Sequence, residues 1–335
     1  MPINHSQVFI PVSGASLGLA LLVLAGCDGQ QSALAPAGSG AQSIATLFWW
    51  MAGGALAIWL VVMGIALYAT QAHPEAHSIR SARWLIIGGG IVFPVVVLTG
   101  LLIYGLTLMP TLSSAEGVSR HVEVSGEQWW WRVRYRTEAG ETVELANEIR
   151  LPVGERVAFS LTSPDVIHSF WIPSLGGKVD MIPGRTNQLV LEPTETGTFR
   201  GACAEYCGAS HALMNFPVVV MPREDFERWL VGQAGPAQMP TTAVQQAGQQ
   251  AFLANGCGAC HQVRGTEADG TVGPDLTHVG SRLSLAAGTL PADLAAFERW
   301  IGHSGAIKPD VKMPAFGMLS PDQLSAMAHY LKGLE

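Results

Sequence analysis

Hydrophobic and polar positions divide the chain into stretches of different character. Residues 44–70 and 84–109 are long runs without a single Asp, Glu, Lys, Arg or His. Each exceeds the roughly 20 residues that a helix needs to cross a bilayer. The pattern therefore predicts a two-helix transmembrane hairpin over 44–109. Trp49, Trp50, Tyr68, Trp84 and Tyr104 stand near the ends of the runs, where aromatic rings favour the membrane interface. Arg80 and Arg83 lie between the runs, which puts that loop on the cytoplasmic side and everything after about residue 110 outside. Pro94 and the glycines at 88–90 loosen the second helix and allow close packing on a neighbour.

A shorter apolar stretch, 17–24, leads into "LAGC" and reads as a secretory signal peptide over 1–26. "LAGC" also resembles a bacterial lipobox, which would make Cys27 a lipid-modified mature N-terminus. Residues 28–43, rich in Gly, Ser, Ala and Gln, read as a flexible linker.

Beyond residue 118 the pattern changes. "HVEVSGEQWWWRVRY", "RVAFSLTS", "NQLVLEP", "GTFRGAC" and "FPVVVMP" are short β-branched or aromatic runs divided by Gly, Pro and Asn. They predict the strands of a sandwich or small barrel over 118–230. In a strand, Trp129 and Trp131 share one face and Trp130 takes the other. "VGQAGPAQMPTTA" (231–243) reads as a linker. Residues 244–335 are helical in pattern, with helices over 244–254, 292–303 and 321–334, the last capped by Ser320.

Composition sharpens this picture. Charged residues make up 13% of the chain, against about 25% in soluble domains, which agrees with a membrane anchor. The net charge of −7 and the lack of a basic run exclude a nucleic-acid partner. Of the five cysteines, Cys203/Cys207 and Cys257/Cys260 form two close pairs, each beside a histidine. That spacing favours metal or cofactor chemistry over a disulfide framework.

Cys257-Gly-Ala-Cys260-His261 has the spacing of c-type haem attachment, in which two thiols add to the vinyl groups and the next histidine reaches the iron. Met313 in Lys-Met-Pro is the best candidate for the second axial ligand. Met318 reads as packing, and His278 and His303 as surface residues. The other pair lies in "CAEYCGASHALM" (203–214), which combines two thiols with His211 and Met214. Blue-copper sites use one Cys, two His and a weak Met; two thiolates could bridge two coppers, with His168 supplying the missing imidazole. Three other readings fit the spacing. These are a Cys2His2 zinc site, a disulfide in an oxidising compartment, and a buried helix face through 203, 207, 211 and 214.

"DVIHSFWIPSLGGKVDMIPGRTNQL" followed by "GACAEYCGASHALMNFPVVV" closely resembles subunit II of cytochrome c oxidase, in the haem–copper oxidase superfamily. "GCGACHQV", "GPDLTHVGSR" and "VKMPAFGMLS" resemble a class I cytochrome c, as in members with a fused cytochrome domain. The resemblance implies a multi-domain chain: a transmembrane hairpin, an all-β cupredoxin-like Greek-key barrel and an all-α cytochrome c domain. It implies binuclear CuA held by His168, Cys203, Cys207, His211, Met214 and the carbonyl of Glu205, with the Glu205 side chain reaching Mg at the subunit I interface. Covalent haem c would be held by Cys257, Cys260, His261 and Met313. Trp129 would be the residue through which electrons reach CuA. The implied function is electron input to an aa3-type oxidase in the bacterial inner membrane. Electrons would come from cytochrome c or a cytochrome bc1 complex, and O2 would be reduced to water with proton translocation. The spans contain no histidine, so the oxygen site must lie on a partner subunit. The rival implied by the same modules is electron delivery to a CuA-containing nitric oxide reductase.

Overall fold

In the computed structural model the described residues are 29–72, 78–114, 116–137 and 140–335. The expected signal peptide and Cys27 lie outside them. Two apolar helical spans, Ser39–Gln71 and Ile79–Met109, are long enough to cross a membrane, and 0% of their most apolar stretch is buried inside the chain. The first comprises α1 (Ser39–Leu67) and a π-wound end; the second comprises α2 (Ile79–Trp84), a π-wound stretch Leu85–Val92 and α3 (Phe93–Ser113). The π-wound stretch contains the three consecutive glycines, which bring no side chain to pack against the wider turn.

Residues 29–43 are not the free linker that their composition suggested. Gln30 O accepts from Arg200 N–H, and Ala37 exchanges bonds with Ser174 and Thr194. Ala41 and Ala45 are buried on the β domain. Small residues here serve close approach, so α1 starts earlier than residue 44.

The β domain has two five-stranded sheets. The first has the order β3 (Thr142–Ala146), β2 (Trp130–Arg136), β1 (Val118–Glu127), β5 (Arg156–Thr162), β8 (Asn187–Leu191). The second runs β4 (Ile149–Pro152), β10 (Asn215–Met221), β9 (Gly197–Cys203), β6 (His168–Trp171), β7 (Val179–Met181). Parallel pairing of β1 with β5 and of β10 with β4 marks the crossed connections between the sheets. Between them lies an aromatic core. Phe170 stacks on Phe216 at 5.2 Å, and Trp131 meets both edge-on at 5.8 and 5.0 Å.

The tryptophan run corrects one expectation. It is not one strand: Glu127 pairs with Trp130, so Gln128 and Trp129 form the turn of a β1–β2 hairpin. Trp129 is nevertheless buried with Trp131, while Trp130 lies partly exposed under the Arg132 guanidinium, 4.7 Å from its ring.

α4 (Arg223–Ala234) closes the β domain and takes up the first residues of the expected 231–243 linker. The C-terminal domain is built from α5 (Ala243–Ala254), α6 (Leu294–Ile307) and α7 (Pro321–Lys332). Thr242 and Ser320 each form a capping box, with Gln245 and Gln323. α5 crosses α7 at Gly248, where a Cβ would fall 2.0 Å from Ala326 O. Phe252 then reaches Tyr330, ring to ring at 5.7 Å.

Phe170→Ala removes the ring shared by both sheets. The expected loss is about 3–5 kcal/mol of β-domain stability, measured by denaturant titration of the detergent-solubilised chain.

Candidate metal centre

β9 ends on Cys203 and β10 begins at Asn215. The residues between them fold into a tight loop, closed where Cys203 N–H donates to Met214 O (2.9 Å) and finished by a 3-10 turn, His211–Leu213. Gly208 has φ +116° and lies against Trp129, where a Cβ would come within 2.9 Å of the indole. From below, the Trp129 Nε1–H (3.0 Å) and the Gln128 amide (2.8 Å) donate to Cys207 O. The loop is therefore not the helix face that the 203/207/211/214 spacing also allowed. β6 pairs with β9 and opens on His168, which carries that ring under the loop.

This geometry joins the candidate ligands in one cluster. Cys203 Sγ and Cys207 Sγ are 3.8 Å apart. His168 Nδ1 is 3.8 Å from Cys203 Sγ, and the carbonyl of Glu205 is 3.2 Å from the same sulfur. On the other side, His211 Nδ1 and Met214 Sδ lie 3.6 and 3.9 Å from Cys207 Sγ. His168 and Met214 are fully buried and both cysteines nearly so. A disulfide requires about 2.05 Å between sulfurs, so the pair stands as two thiols.

The two thiols are displaced in opposite directions. The hydrogen bond from Cys207, opposed by burial and aided by His168, pulls the Cys203 thiol down to about 3. The same bond, with burial, pushes Cys207 up. Burial works against a charged His168, but its contacts with Cys203 and Asp165 outweigh it and raise the imidazole above its ordinary value. Asp165 Oδ1 accepts from His168 Nε2 (2.9 Å), and Gln128 N–H donates to Oδ2 (2.8 Å). Despite burial, these bonds hold the carboxylate below its ordinary range. Asp165 thus turns His168 so that Nδ1 faces sulfur.

Glu205 divides its roles. Its carbonyl faces Cys203 Sγ, while its side chain, 45% exposed, points to Lys178 Nζ at 3.8 Å.

In the C-terminal domain, Cys257 starts a 3-10 turn, and His261 N–H donates to Cys257 O. His261 Nδ1–H donates to Pro274 O at 2.8 Å, which leaves Nε2 as the ring nitrogen with a lone pair to offer. Burial lowers this imidazole below its ordinary value, which favours the neutral form that ligation would use. Met313 is half-buried in the loop after α6, its carbonyl held by Ser304 Oγ. Met318 is 78% exposed and His303 exposed. His278 is not a surface residue as its sequence context suggested. It is buried, with Nδ1 on Glu335 O and Nε2 on Gly235 O, at 3.1 and 3.2 Å.

Three residues of this region escaped the sequence reading. Asp165 had a local signal, a carboxylate three positions before a candidate ligand. Arg282 had none: it is half-buried, its guanidinium donates to Asp275 O and it makes no direct salt bridge among the described residues. Lys308 is 1% exposed and reaches across to the β domain, to carbonyls of Trp129 and Leu213. Burial lowers its ammonium to about 7.

The family model "Cytochrome C oxidase subunit II, periplasmic domain" matches residues 121–222, and the model "Cytochrome c" matches 245–335. Cytochrome c oxidase subunit 2 of Alkalihalophilus pseudofirmus is 40% identical over 215 residues, covering 64% of this chain and 61% of that protein. The chain thus spans about three-fifths of the length of that relative. Cytochrome c oxidase subunit 2 of Bacillus subtilis is 31% identical over 278 residues, covering 78% of this chain and 76% of its own. The crystal structure of the periplasmic domain of subunit II of cytochrome oxidase (CoxB) of Bradyrhizobium japonicum is 30% identical. It covers 35% of this chain and 94% of that one, with a TM-score of 0.33. A membrane-anchored chain with a β-rich cupredoxin-like domain and a cytochrome c domain, it belongs to the cytochrome c oxidase subunit II family.

Proposed function

We propose that this chain is the electron-input subunit of an aa3-type cytochrome c oxidase. In this reading it passes electrons from covalent haem c to binuclear CuA and on to the haem–copper subunit, which reduces O2 to water with proton translocation. The observation that carries the reading is the convergence of His168, Cys203, Cys207, His211, Met214 and the Glu205 carbonyl on two adjacent sulfurs.

The donor set fits two ions better than one. His168, Cys203 and Cys207 have ligand atoms within 4.8 Å of one another, whereas His211 joins through Cys207. Each end of the sulfur pair thereby gains an imidazole and one weak donor, the Glu205 carbonyl or Met214. A single zinc would leave donors unused. Two buried thiols 3.8 Å apart need added positive charge before both ionise. When bound, the two coppers and the haem supply one-electron carriers.

The chain's own residues hold and shield those carriers. Asp165 orients His168, and Pro274 O orients His261. The half-buried Arg282, which makes no direct salt bridge among the described residues, suits the anionic edge of a haem beside His261. Trp129 is 5% exposed and covered by the C-terminal domain through Lys308. In this reading it conducts internally, and an external donor, cytochrome c or a bc1 complex, would meet the haem domain instead. Glu205, with Lys178 and Asp180 nearby, offers a carboxylate to Mg at the junction with subunit I. The spans would lie in the bacterial inner membrane with both redox domains outside.

The purified full-length chain is expected to carry two coppers and one haem, with a seven-line EPR pattern and near-infrared absorption; one zinc and no copper would overturn the reading. Asp165→Asn should lower copper affinity about 10–100-fold in chelator competition while haem content stays constant. Met313→Ala should turn the haem high-spin with both thioether links intact, read in the optical spectrum; an unchanged spectrum would move the ligand elsewhere.

A further inference from the structure

We propose that Lys308 positions the haem-type domain on the copper-type site and, in its ammonium form, holds positive charge against it; this rests on the relay reading above. Lys308 ends α6, five residues before Met313 in the chain, and is 1% exposed. Its Nζ lies 2.5 Å from Trp129 O, 3.0 Å from Leu213 O and 3.0 Å from Ala286 O. Three acceptors require three N–H donors, which the ammonium has and the neutral amine lacks.

The three carbonyls belong to three separate segments. Trp129 sits in the hairpin turn whose indole donates to Cys207 O. Leu213 lies between two candidate copper ligands, His211 and Met214. Ala286 belongs to the haem-type domain itself. One side chain thus ties the support of Cys207, the His211–Met214 turn and the opposite domain to a single point.

Neighbouring bonds fix the same face. Ser210 Oγ–H donates to Pro309 O (2.5 Å), and Asn215 N–H to Ala287 O (3.0 Å). Lys312 Nζ stands 3.9 Å from Asp165, the carboxylate that orients His168. Lysine stems usually run along a surface and leave the charge in water. This one carries its charge inward, into a position where a Met of similar length would fill the volume. The difference is the charge and the three directed bonds. A buried cation beside Cys207 favours the electron on the copper side, because reduction removes positive charge there. The directed bonds fix the separation of the two redox sites.

The test uses the full-length chain carrying copper and haem, with Lys308→Gln, which keeps amide donors and loses the charge, and Lys308→Met, which loses both. In Lys308→Gln the electron distribution should move about tenfold toward haem, a 59 mV fall of the copper midpoint against haem for a one-electron couple, with haem-to-copper exchange still fast after photoreduction. In Lys308→Met the same shift should come with exchange slowed about tenfold or more. Loss of copper from both variants with haem retained also supports the assignment, since Lys308 holds the ligand turn. Wild-type midpoint and exchange rate in both variants would overturn it. Absence of haem-to-copper exchange in the wild type would overturn the relay reading instead.

Discussion

Two sulfurs held 3.8 Å apart in a buried loop are the constraint on which the rest of this structure turns. Both cannot be charged at that distance in a poorly solvated place without compensating cations. Their contact lowers the Cys203 thiol and, with burial, raises that of Cys207. The fold spends several features on bringing them together. β9 delivers Cys203, Gly208 lets the loop press on Trp129, and the bond from Cys203 to Met214 closes the base. Donors then stand at both ends of the pair, His168 with Asp165 behind it and His211 with Met214. A site of this kind is well suited to metal ions, whose charge lets both sulfurs ionise.

The features legible in the sequence were those whose physics is local. Two apolar runs, Cys-x-x-Cys-His, the Ser320 cap and the clustered thiols each declare themselves within a few residues. His168 needed a longer reach and was found because imidazole was the donor still missing. The hairpin at Gln128 and Trp129 stayed hidden because its turn has no Asn-Gly or Gly signal, and three tryptophans read as strand. Residues 29–43 misled for a related reason. Small residues serve flexible linkers and close backbone contacts alike, and only the β domain beside them decides which. Lys308, Arg282 and the buried His278 owe their roles to partners distant in the chain, so no window of sequence contains the reason for them.

The relation between the two redox domains depends on the same distant contacts. A flexible tether would deliver the haem at mM effective concentration and leave its orientation free. Here the connecting segment is itself bound: Ala237 N–H donates to Arg264 O, the Arg264 guanidinium to Gln233 O and Ala234 O, and His278 to Gly235 O. Leu283 N–H reaches Glu148, and Arg132 reaches Thr271 O. Nearly all of these bonds end on backbone carbonyls, whose positions are set by strands and turns rather than by mobile side chains. Burying the Lys308 charge costs several kcal/mol, and three hydrogen bonds from a charged donor, about 1.5–3 kcal/mol each, offset that cost only when all three form together. Partial docking keeps the desolvation penalty and forfeits the bonds. The interface therefore discriminates against near-miss orientations more strongly than apolar packing of the same size would, and electron transfer benefits from that discrimination because its rate falls with every added ångström between the sites.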